Sequence, residues 1–516
     1  MSEQMQVRIG LSDIAEIAGV SLSAVSQWRK RHVDFPIPLA DDTLGTVFDL
    51  NEVQDWLFRN GKTNESLSTE KRIWSSLNSI RTWWTPSSAT DFLVNMLVLH
   101  KTWVSFGNQT QMWSRVLRDS ESIFDEINAE ILKTKIDQPY VPVLGLGELN
   151  IDRNVPEEVV ASFLSLFAEQ VQKNSSTISI FEALLEWRSR IDRFESTSTD
   201  SITNLLQALI PLDALRIADL AAGTGKLLHF SSDERSSTRD ERNAVGFEIN
   251  PQTLWLAKCR FYLSGEKLEA HVVNSLSFSH FENVQADAVI CEPPMGIKLD
   301  VSRIEYLQNG RWKYGTPPVT SADLAWHQLA LEALKPEGLA VIISPLATLY
   351  RTNILESQIR RRLVGAGVVV AIVMLPGRLL ANTNIPTCVW ILRKDVKAED
   401  REILFIDLSD TAESKKNRVE IPSEVICATS ELIQSWLKSK HIIDNLPFPA
   451  TAQIVEETQE MDLMKVFKTM TADPIPRKAE LLEMSQRLST ELSYLLAKNQ
   501  NLMTELRHWT SERSGK

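Results

Sequence analysis

The apolar residues change their period along the chain, and each change predicts a different kind of element. In the first sixty residues, Leu11-Ser-Asp-Ile-Ala15-Glu-Ile-Ala-Gly19-Val20 and Ser21-Leu-Ser-Ala-Val25-Ser-Gln-Trp28-Arg-Lys30 place apolar side chains at helical spacing on either side of a glycine, which reads as a helix, a turn and a second helix. Ala15 allows close helix approach, Gly19 suits the positive backbone angle of the turn, and Val25 with Trp28 returns apolar surface to a core. From about Ser66 to Thr197 the spacing is helical again, as in Phe92-Leu-Val-Asn-Met-Leu-Val-Leu-His100 and Val159-Val-Ala-Ser-Phe-Leu-Ser-Leu-Phe167, and predicts a helical domain.

Beyond Ser198 the pattern shortens into buried-strand runs: Arg216-Ile-Ala-Asp219, Ala244-Val-Gly-Phe247, Ala270-His-Val-Val273 and Ala286-Asp-Ala-Val-Ile-Cys291. Helices are expected to start at Leu227-Leu228 and, opened by Pro251, over Thr253–Leu263. Strands alternating with helices predict an α/β doubly wound sheet. After Lys394 one more strand is expected at Glu402–Leu408, followed by helices. Leu481, Met484, Leu488, Leu492, Leu495, Leu502, Leu506 and Trp509 recur every three or four positions, with Asn499 interrupting. That stripe predicts a long terminal helix that seeks a partner, a second copy included, or packs on its own domain. The resulting division is 1–62, 66–197, 198–410 and a helical 411–516.

A chain of 516 residues exceeds what one core organises, in keeping with that division. Hydrophobic residues at 43% and charged residues at 24% are ordinary for a folded soluble protein. No run approaches the roughly eighteen apolar residues of a membrane span, and Met1-Ser-Glu-Gln lacks the order of a secretory signal, so a cytoplasmic protein is expected. Cys259, Cys291, Cys388 and Cys427 stand apart from one another and signal neither a zinc site nor a disulfide framework. A net charge of −12 excludes a wholly basic nucleic-acid coat but leaves local patches, Arg29-Lys30-Arg31 and Arg360-Arg361-Arg362, for phosphate contact. Trp74, Trp83, Trp84, Trp103, Trp113 and Trp187 fall in the helical stretch, where core packing is the ordinary use of an aromatic and base stacking the rarer one.

The chemistry concentrates around two corners. Asp219-Leu-Ala221-Ala-Gly223-Thr-Gly225-Lys226 follows the first strand, and its small residues let backbone approach a ligand. Leu220 and Leu227 break the spacing of a Walker loop, and Leu228 stands where the third dinucleotide-binding glycine belongs. Glu248, at the tip of the second strand, can accept both hydroxyls of a ribose. Ile249 is its neighbour, and Asn274 and Ser275 after the third strand would border an adenine ring. The fourth strand runs into Glu292-Pro293-Pro294-Met295, a rigid corner carrying a carboxylate.

These motifs, in this order, resemble those of N-6 adenine DNA methyltransferases, especially the modification subunit of type I restriction-modification systems. The likeness continues through Lys313-Tyr-Gly315-Thr-Pro-Pro, Ser321-Ala-Asp323-Leu-Ala-Trp326-His-Gln, Leu334–Pro345, Leu349-Tyr-Arg351, Met374-Leu-Pro376-Gly377 and Ile385–Lys394. The resemblance implies a Rossmann-like class I fold, S-adenosylmethionine held by Asp219, Ala221, Gly223, Gly225, Glu248, Ile249, Asn274 and Ser275, and no metal. It implies methyl transfer to the exocyclic amine of a flipped adenine at Glu292, Pro293, Pro294 and Met295. It also implies double-stranded DNA as substrate, with a separate specificity or restriction subunit as partner in restriction-modification or phage defence.

The chain departs from the family pattern at Glu292, where Asn, Asp or Ser is usual, and at Met295, where an aromatic ring is usual. Asn274 in place of Asp, and Thr197-Ser198 in place of Thr-Pro, are further departures. Two alternatives therefore stand beside the enzyme: a regulator that keeps the cofactor without turnover, and a methyltransferase acting on RNA or protein glutamine. The N-terminal stretch, with Phe35-Pro-Ile-Pro38 and Phe48–Leu57, resembles the winged helix-turn-helix of excisionase and MerR-type proteins. That likeness implies base contacts from Ser21, Ser23, Ser26 and Gln27 and phosphate contacts from Arg29 and Lys30.

Overall fold

Ser21 begins the first well-capped helix: its hydroxyl accepts from the Ala24 amide at 3.4 Å, one of the donors a helix start leaves unpaired. The computed structural model describes residues 8–470 other than 19, 39, 43–44, 63–76, 78–79, 81–82, 108–112, 114, 118–121, 150, 174–175, 192–197, 231–241, 278–279, 300–310, 381–384, 396–400, 416–417 and 456–460. Gly19, Trp74 and the leucine stripe from Leu481 to Trp509 lie outside the described residues. Strand β1 (Arg8–Gly10), helices α1 (Leu11–Ala18) and α2 (Leu22–Arg31), strands β2 (Ala40–Asp42) and β3 (Gly45–Asp49), and helix α3 (Leu50–Arg59) form the first unit. Its sheet is antiparallel in the order β1-β3-β2. Ile14, Val25, Phe48, Val53 and Trp56 make its small core.

The next unit is helical: α4 (Pro86–Ser105), α5 (Ile123–Asp137), α6 (Glu157–Lys173) and α7 (Thr177–Ile191). Thr85 caps α4 and Pro86 opens it, a position where the missing amide costs nothing. Trp84, Trp103, Trp113 and Trp187 are buried in its core, while Trp83 is partly exposed.

Helix α8 (Asp200–Ala208) leads into the sheet, built from β4 (Arg216–Asp219), β5 (Asn243–Glu248), helix α9 (Pro251–Ser264), β6 (Leu268–Val272), β7 (Ala286–Cys291), helix α10 (Asp323–Ala333) and β8 (Leu334–Pro345). Helix α11 (Ile354–Gly365), β9 (Val369–Met374), β10 (Thr387–Arg393) and β11 (Glu402–Asp407) follow. The hairpin β12 (Glu413–Lys415) and β13 (Arg418–Glu420), helix α12 (Ser423–Ser439), β14 (Ala450–Ile454) and helix α13 (Met464–Met470) complete the described chain. The sheet has nine strands in the order β14-β11-β9-β10-β8-β7-β4-β5-β6. Neighbours in the run β6-β5-β4-β7-β8 pair in parallel, and β10 runs antiparallel between β8 and β9. Separate apolar clusters cover its two faces, one with α10, α11 and α13, the other with α8 and α12. Burial on both faces is why these strands read as continuous apolar runs.

Two expectations change here. Residues 220–230 form turns, so no helix starts at Leu227-Leu228. The sheet also extends past residue 410: β14 is its far edge strand, and β12 with β13 forms a separate hairpin, so the described part of 411–470 is not helical throughout.

The helical unit is fastened to the sheet through α9. Trp255 and Cys259 of α9 lie in the helical unit's core, Trp255 donates to the Pro142 carbonyl at 2.8 Å, and the Tyr262 hydroxyl meets that of Thr102 at 2.8 Å. Asp91 on α4 takes Arg188 at 2.6 Å and Gln252 of α9 at 2.9 Å. A buried carboxylate serving both partners fixes the relative placement of three helices.

Candidate active site

The site follows from strand order. From β4 the chain moves to β5 on one side, while β7 pairs with β4 on the other. Ligands of doubly wound sheets sit in the crevice opened by such a reversal, beyond the carboxyl ends of the strands. The glycine loop after β4 and the Pro-Pro corner after β7 both open there.

Asp219 ends β4 almost fully buried. Its Oδ1 accepts from the Ala221 amide at 2.9 Å, while Oδ2 is buried with no partner among the described residues. Burial pushes its carboxyl up to about 7, against hydrogen bonds from the Ala221 amide and the Cys291 thiol and with a contribution from the negative charges of Glu248 and Glu292. Gly223 (φ 54°) has open space where a side chain would stand. Gly225 (φ 76°) does not: a Cβ there would lie 3.1 Å from Ala257 Cβ and 3.3 Å from the Phe261 ring. Gly225→Ala should therefore lower unfolding stability by about 2 kcal/mol, measured by urea denaturation; an unchanged midpoint would show that α9 yields freely. Arg260 of α9 donates to the Thr224 carbonyl and, at 3.0 Å, to its hydroxyl. It also pairs with Glu182 of α7 at 2.8 and 2.9 Å, so the helical unit braces the glycine loop.

Glu248 closes over that loop. Its two oxygens accept from the amides of Gly223 at 3.0 Å and Asn250 at 2.8 Å, and each keeps lone-pair capacity for a hydroxyl. Ile249 beside it is 63% exposed, an apolar surface at the rim of the crevice. Asn274 accepts from the Leu276 amide at 3.1 Å, and buried Ser275 donates to the Leu220 carbonyl at 2.5 Å. The Ser275 hydroxyl thus ties the loop after β6 to the glycine loop.

At the other corner, Pro293 is buried and Pro294 exposed. Glu292 Oε2 is buried with no partner among the described residues. Burial raises the Glu292 carboxyl above its ordinary value, opposed by a hydrogen bond from Ser198 and the charge of Lys226. Met295 is half-buried and packs against the apolar cluster on the α8 side of the sheet. Gly296 donates to Asp323 Oδ1 at 2.9 Å, and Asp323 Oδ2 takes Arg351 at 2.7 Å, which locks the corner to the start of α10. Ser198, Lys226, Asp323 and Arg351 received no role from the sequence, although Asp323 and Arg351 fall within its resemblance motifs, Lys226 within the glycine loop and Ser198 within the departure from Thr-Pro.

The N-terminal candidates lie on α2, away from these corners in sequence. Ser21, Ser23, Gln27, Arg29 and Lys30 are exposed and Ser26 is half-buried. Ser21 and Ser23 share a hydrogen bond at 2.8 Å, and Arg29 reaches Thr46 of β3 at 3.2 Å while lying over the Phe48 ring. Arg360, expected in a surface patch, is instead buried: it donates to the carbonyls of Met461, Thr348 and Arg351 at 3.0, 3.2 and 2.6 Å.

These residues fit S-adenosylmethionine. The unpaired Asp219 oxygen can take an ammonium, Glu248 a ribose, the space over Gly223 the close passage of a ligand, and Ile249 the face of an adenine. Among the described residues no group of three His, Cys, Asp or Glu side chains is placed to hold a metal ion.

A doubly wound sheet with antiparallel strands only at β10 and the β14 edge, a glycine loop at the first strand tip and an acid at the second defines a class I S-adenosylmethionine-dependent methyltransferase. The sequence profile of the N-6 DNA Methylase family matches residues 198–469, and the chain belongs to that family. The type I restriction enzyme HindI methylase subunit of Haemophilus influenzae is 28% identical over 318 residues, 60% of this chain and 70% of that one. The MjaVIII methylase subunit of Methanocaldococcus jannaschii is 26% identical over 59% of this chain and 56% of its own length. In structure, the type I restriction-modification system methyltransferase subunit from Streptococcus thermophilus aligns with a TM-score of 0.65 at 19% identity, covering 77% of this chain and 98% of that one.

Proposed function

We propose that this chain is a DNA adenine N6-methyltransferase, the modification subunit of a restriction-modification system working in the cytoplasm, with S-adenosylmethionine as methyl donor. The observation that carries the reading is the placement, at one switch point, of two carboxylates each with a buried oxygen that has no partner among the described residues, one at the head of the glycine loop and one on the Pro-Pro corner. When bound, S-adenosylmethionine supplies an electrophilic methyl group. Asp219, Glu248 and the open backbone at Gly223 hold it. Glu292 accepts a hydrogen bond from the adenine amine, raising electron density on the nitrogen, and then takes the proton that nitrogen sheds. The rigid corner, locked through Gly296, Asp323 and Arg351, keeps that acceptor in place. The test is transfer of labelled methyl to mixed genomic DNA by the purified chain, with and without candidate specificity subunits. Labelled N6-methyladenine in the digested DNA supports the reading, and methylated RNA or glutamine in its place would overturn it.

A second reading, a regulator that binds the cofactor without turnover, is favoured by Met295, which packs into the apolar cluster and does not stand as an open stacking ring. Cofactor binding without transfer in any of those mixtures would select it.

The N-terminal unit serves DNA binding in either case. The first turns of α2 offer Ser21, Ser23, Ser26 and Gln27 to base edges, and its last turn offers Arg29 and Lys30 to phosphates. The double substitution Arg29→Ala, Lys30→Ala should weaken DNA binding and reduce the slope of log affinity against log salt by about 2. Fluorescence anisotropy across salt concentrations measures it, and an unchanged slope would remove these residues from the interface.

A further inference from the structure

Arg260 of α9 stands between the helical unit and the glycine loop, and its guanidinium holds both. The side chain is fully buried and lies over the Phe181 ring of α7, 5.2 Å from its centre. Nε and Nη2 donate to the two carboxylate oxygens of Glu182 at 2.8 and 2.9 Å. Nη1 donates to the Thr224 carbonyl and, at 3.0 Å, to the Thr224 hydroxyl. One edge of the fork thus serves the helical unit and the other the loop.

Thr224 lies between Gly223 and Gly225, both at positive φ. Such a segment has little stiffness of its own, because glycine gives up the most conformational freedom on ordering. The Thr224 carbonyl shares a planar peptide unit with the Gly225 amide, which donates to the Ala222 carbonyl at 2.7 Å. Gripping that carbonyl therefore orients the turn, and with it the Gly223 amide that donates to Glu248 at 3.0 Å. A second tie runs the same way: Asp91 of α4 accepts from Gln252, in the first turn of α9 just past Glu248, at 2.9 Å.

We propose that Glu182 and Arg260 are positioning residues for cofactor binding: α7 holds the guanidinium, the guanidinium holds Thr224, and the loop is ordered before S-adenosylmethionine arrives. The inference rests on the reading that Asp219, Gly223 and Glu248 hold the cofactor, and both residues act only through Thr224. An ordered loop avoids the entropic cost of fixing it on association, so the helical unit, remote in sequence from the cofactor residues, sets cofactor affinity. Arginine is required for its shape, since a lysine ammonium is a point charge on a flexible stem and cannot make two parallel bonds to a carboxylate while serving a carbonyl on its other side. Glutamate is required as the charge partner, since a buried guanidinium without one is left uncompensated. The Glu182 side chain is itself 40% exposed. Glutamine there empties no core space, yet it turns one acceptor into an amide that meets the guanidinium donor to donor.

The experiment uses the full chain, with Glu182→Gln and Arg260→Lys as strut variants. Trp255→Phe removes the bond to the Pro142 carbonyl and weakens the same interface without touching the loop, and Asp219→Asn serves as the control for the cofactor site. S-adenosylmethionine affinity is read by calorimetry well below each variant's melting temperature. Hydrogen exchange of the amides of residues 221–229 is read by mass spectrometry on the cofactor-free chain. Glu182→Gln and Arg260→Lys should each lower affinity about tenfold and speed loop exchange about tenfold. Trp255→Phe should lower the melting temperature while affinity and loop exchange stay at wild-type values. Wild-type loop exchange in Glu182→Gln overturns the proposal, as does an equal loss of affinity in Trp255→Phe, which a merely structural contact would give. A loosened loop in Glu182→Gln with wild-type affinity, while Asp219→Asn binds weakly, overturns the proposal and leaves the cofactor site standing. If neither Glu182→Gln nor Asp219→Asn lowers affinity, the cofactor lies elsewhere, and the reading of that site falls together with this inference.

Discussion

Replacing Asp219 with asparagine should weaken S-adenosylmethionine binding about 30- to 100-fold at pH 7.5 and flatten its dependence on pH. The buried Oδ2 has no partner among the described residues, so a bound ammonium gains a desolvated, charge-assisted hydrogen bond that an amide cannot reproduce. Because the Asp219 carboxyl sits near 7 before binding, the cofactor meets a protonated group at lower pH and must expel that proton. Affinity should fall by about tenfold per unit as pH drops below 7, with about one proton released per cofactor bound. Calorimetry in buffers of different ionisation enthalpy reads both quantities. The sign for stability follows from the same shift. The folded carboxyl lies above its ordinary 3.8, so between about 4 and 7 the folded chain keeps a proton that the unfolded chain has lost. Its contribution to cofactor-free stability is present below that window and is lost as pH rises through it. A wild-type affinity independent of pH, or an asparagine variant with the wild-type slope, would move the ammonium away from Asp219.

The strands, the glycine loop and the Pro-Pro corner were legible because each is a local pattern. An apolar run ending in an acid or a proline states where a buried strand stops and where a polar group meets solvent. The crevice between β4 and β7 is not local, since it depends on which strands pair, and apolar runs of similar length carry no record of their neighbours. For the same reason β14 escaped notice: Ala450–Ile454 is half-exposed along its length, as an edge strand is, and lacks the apolar run of its partners. Leu227-Leu228 misled in the opposite way, because two leucines bury equally well from a turn as from a helix, and both are buried. Arg360, Arg361 and Arg362 are adjacent in sequence but point about 100° apart around α11, so a basic triplet on a helix sends one member into the core.

Glu292→Ala should reduce methyl transfer to DNA by about a thousandfold while changing cofactor affinity by less than about threefold. The split follows from where the carboxylate stands: its Oε2, without a partner among the described residues, is on the Pro-Pro corner, whereas the residues proposed to hold the cofactor, Asp219, Glu248 and the glycine loop, stand at the ends of β4 and β5. Aspartate at this position tests the geometry further. It restores a residue usual in the family but draws the carboxylate back by about 1.5 Å. If the corner is matched to glutamate, Glu292→Asp should lose about tenfold or more despite keeping its charge. A single-turnover assay at saturating cofactor separates this loss from weaker DNA binding. Transfer by Glu292→Ala at the wild-type rate would mean that the amine is held elsewhere and that the buried carboxylate is only part of the fold. An aspartate variant faster than wild type would mean that glutamate detunes an older catalytic corner.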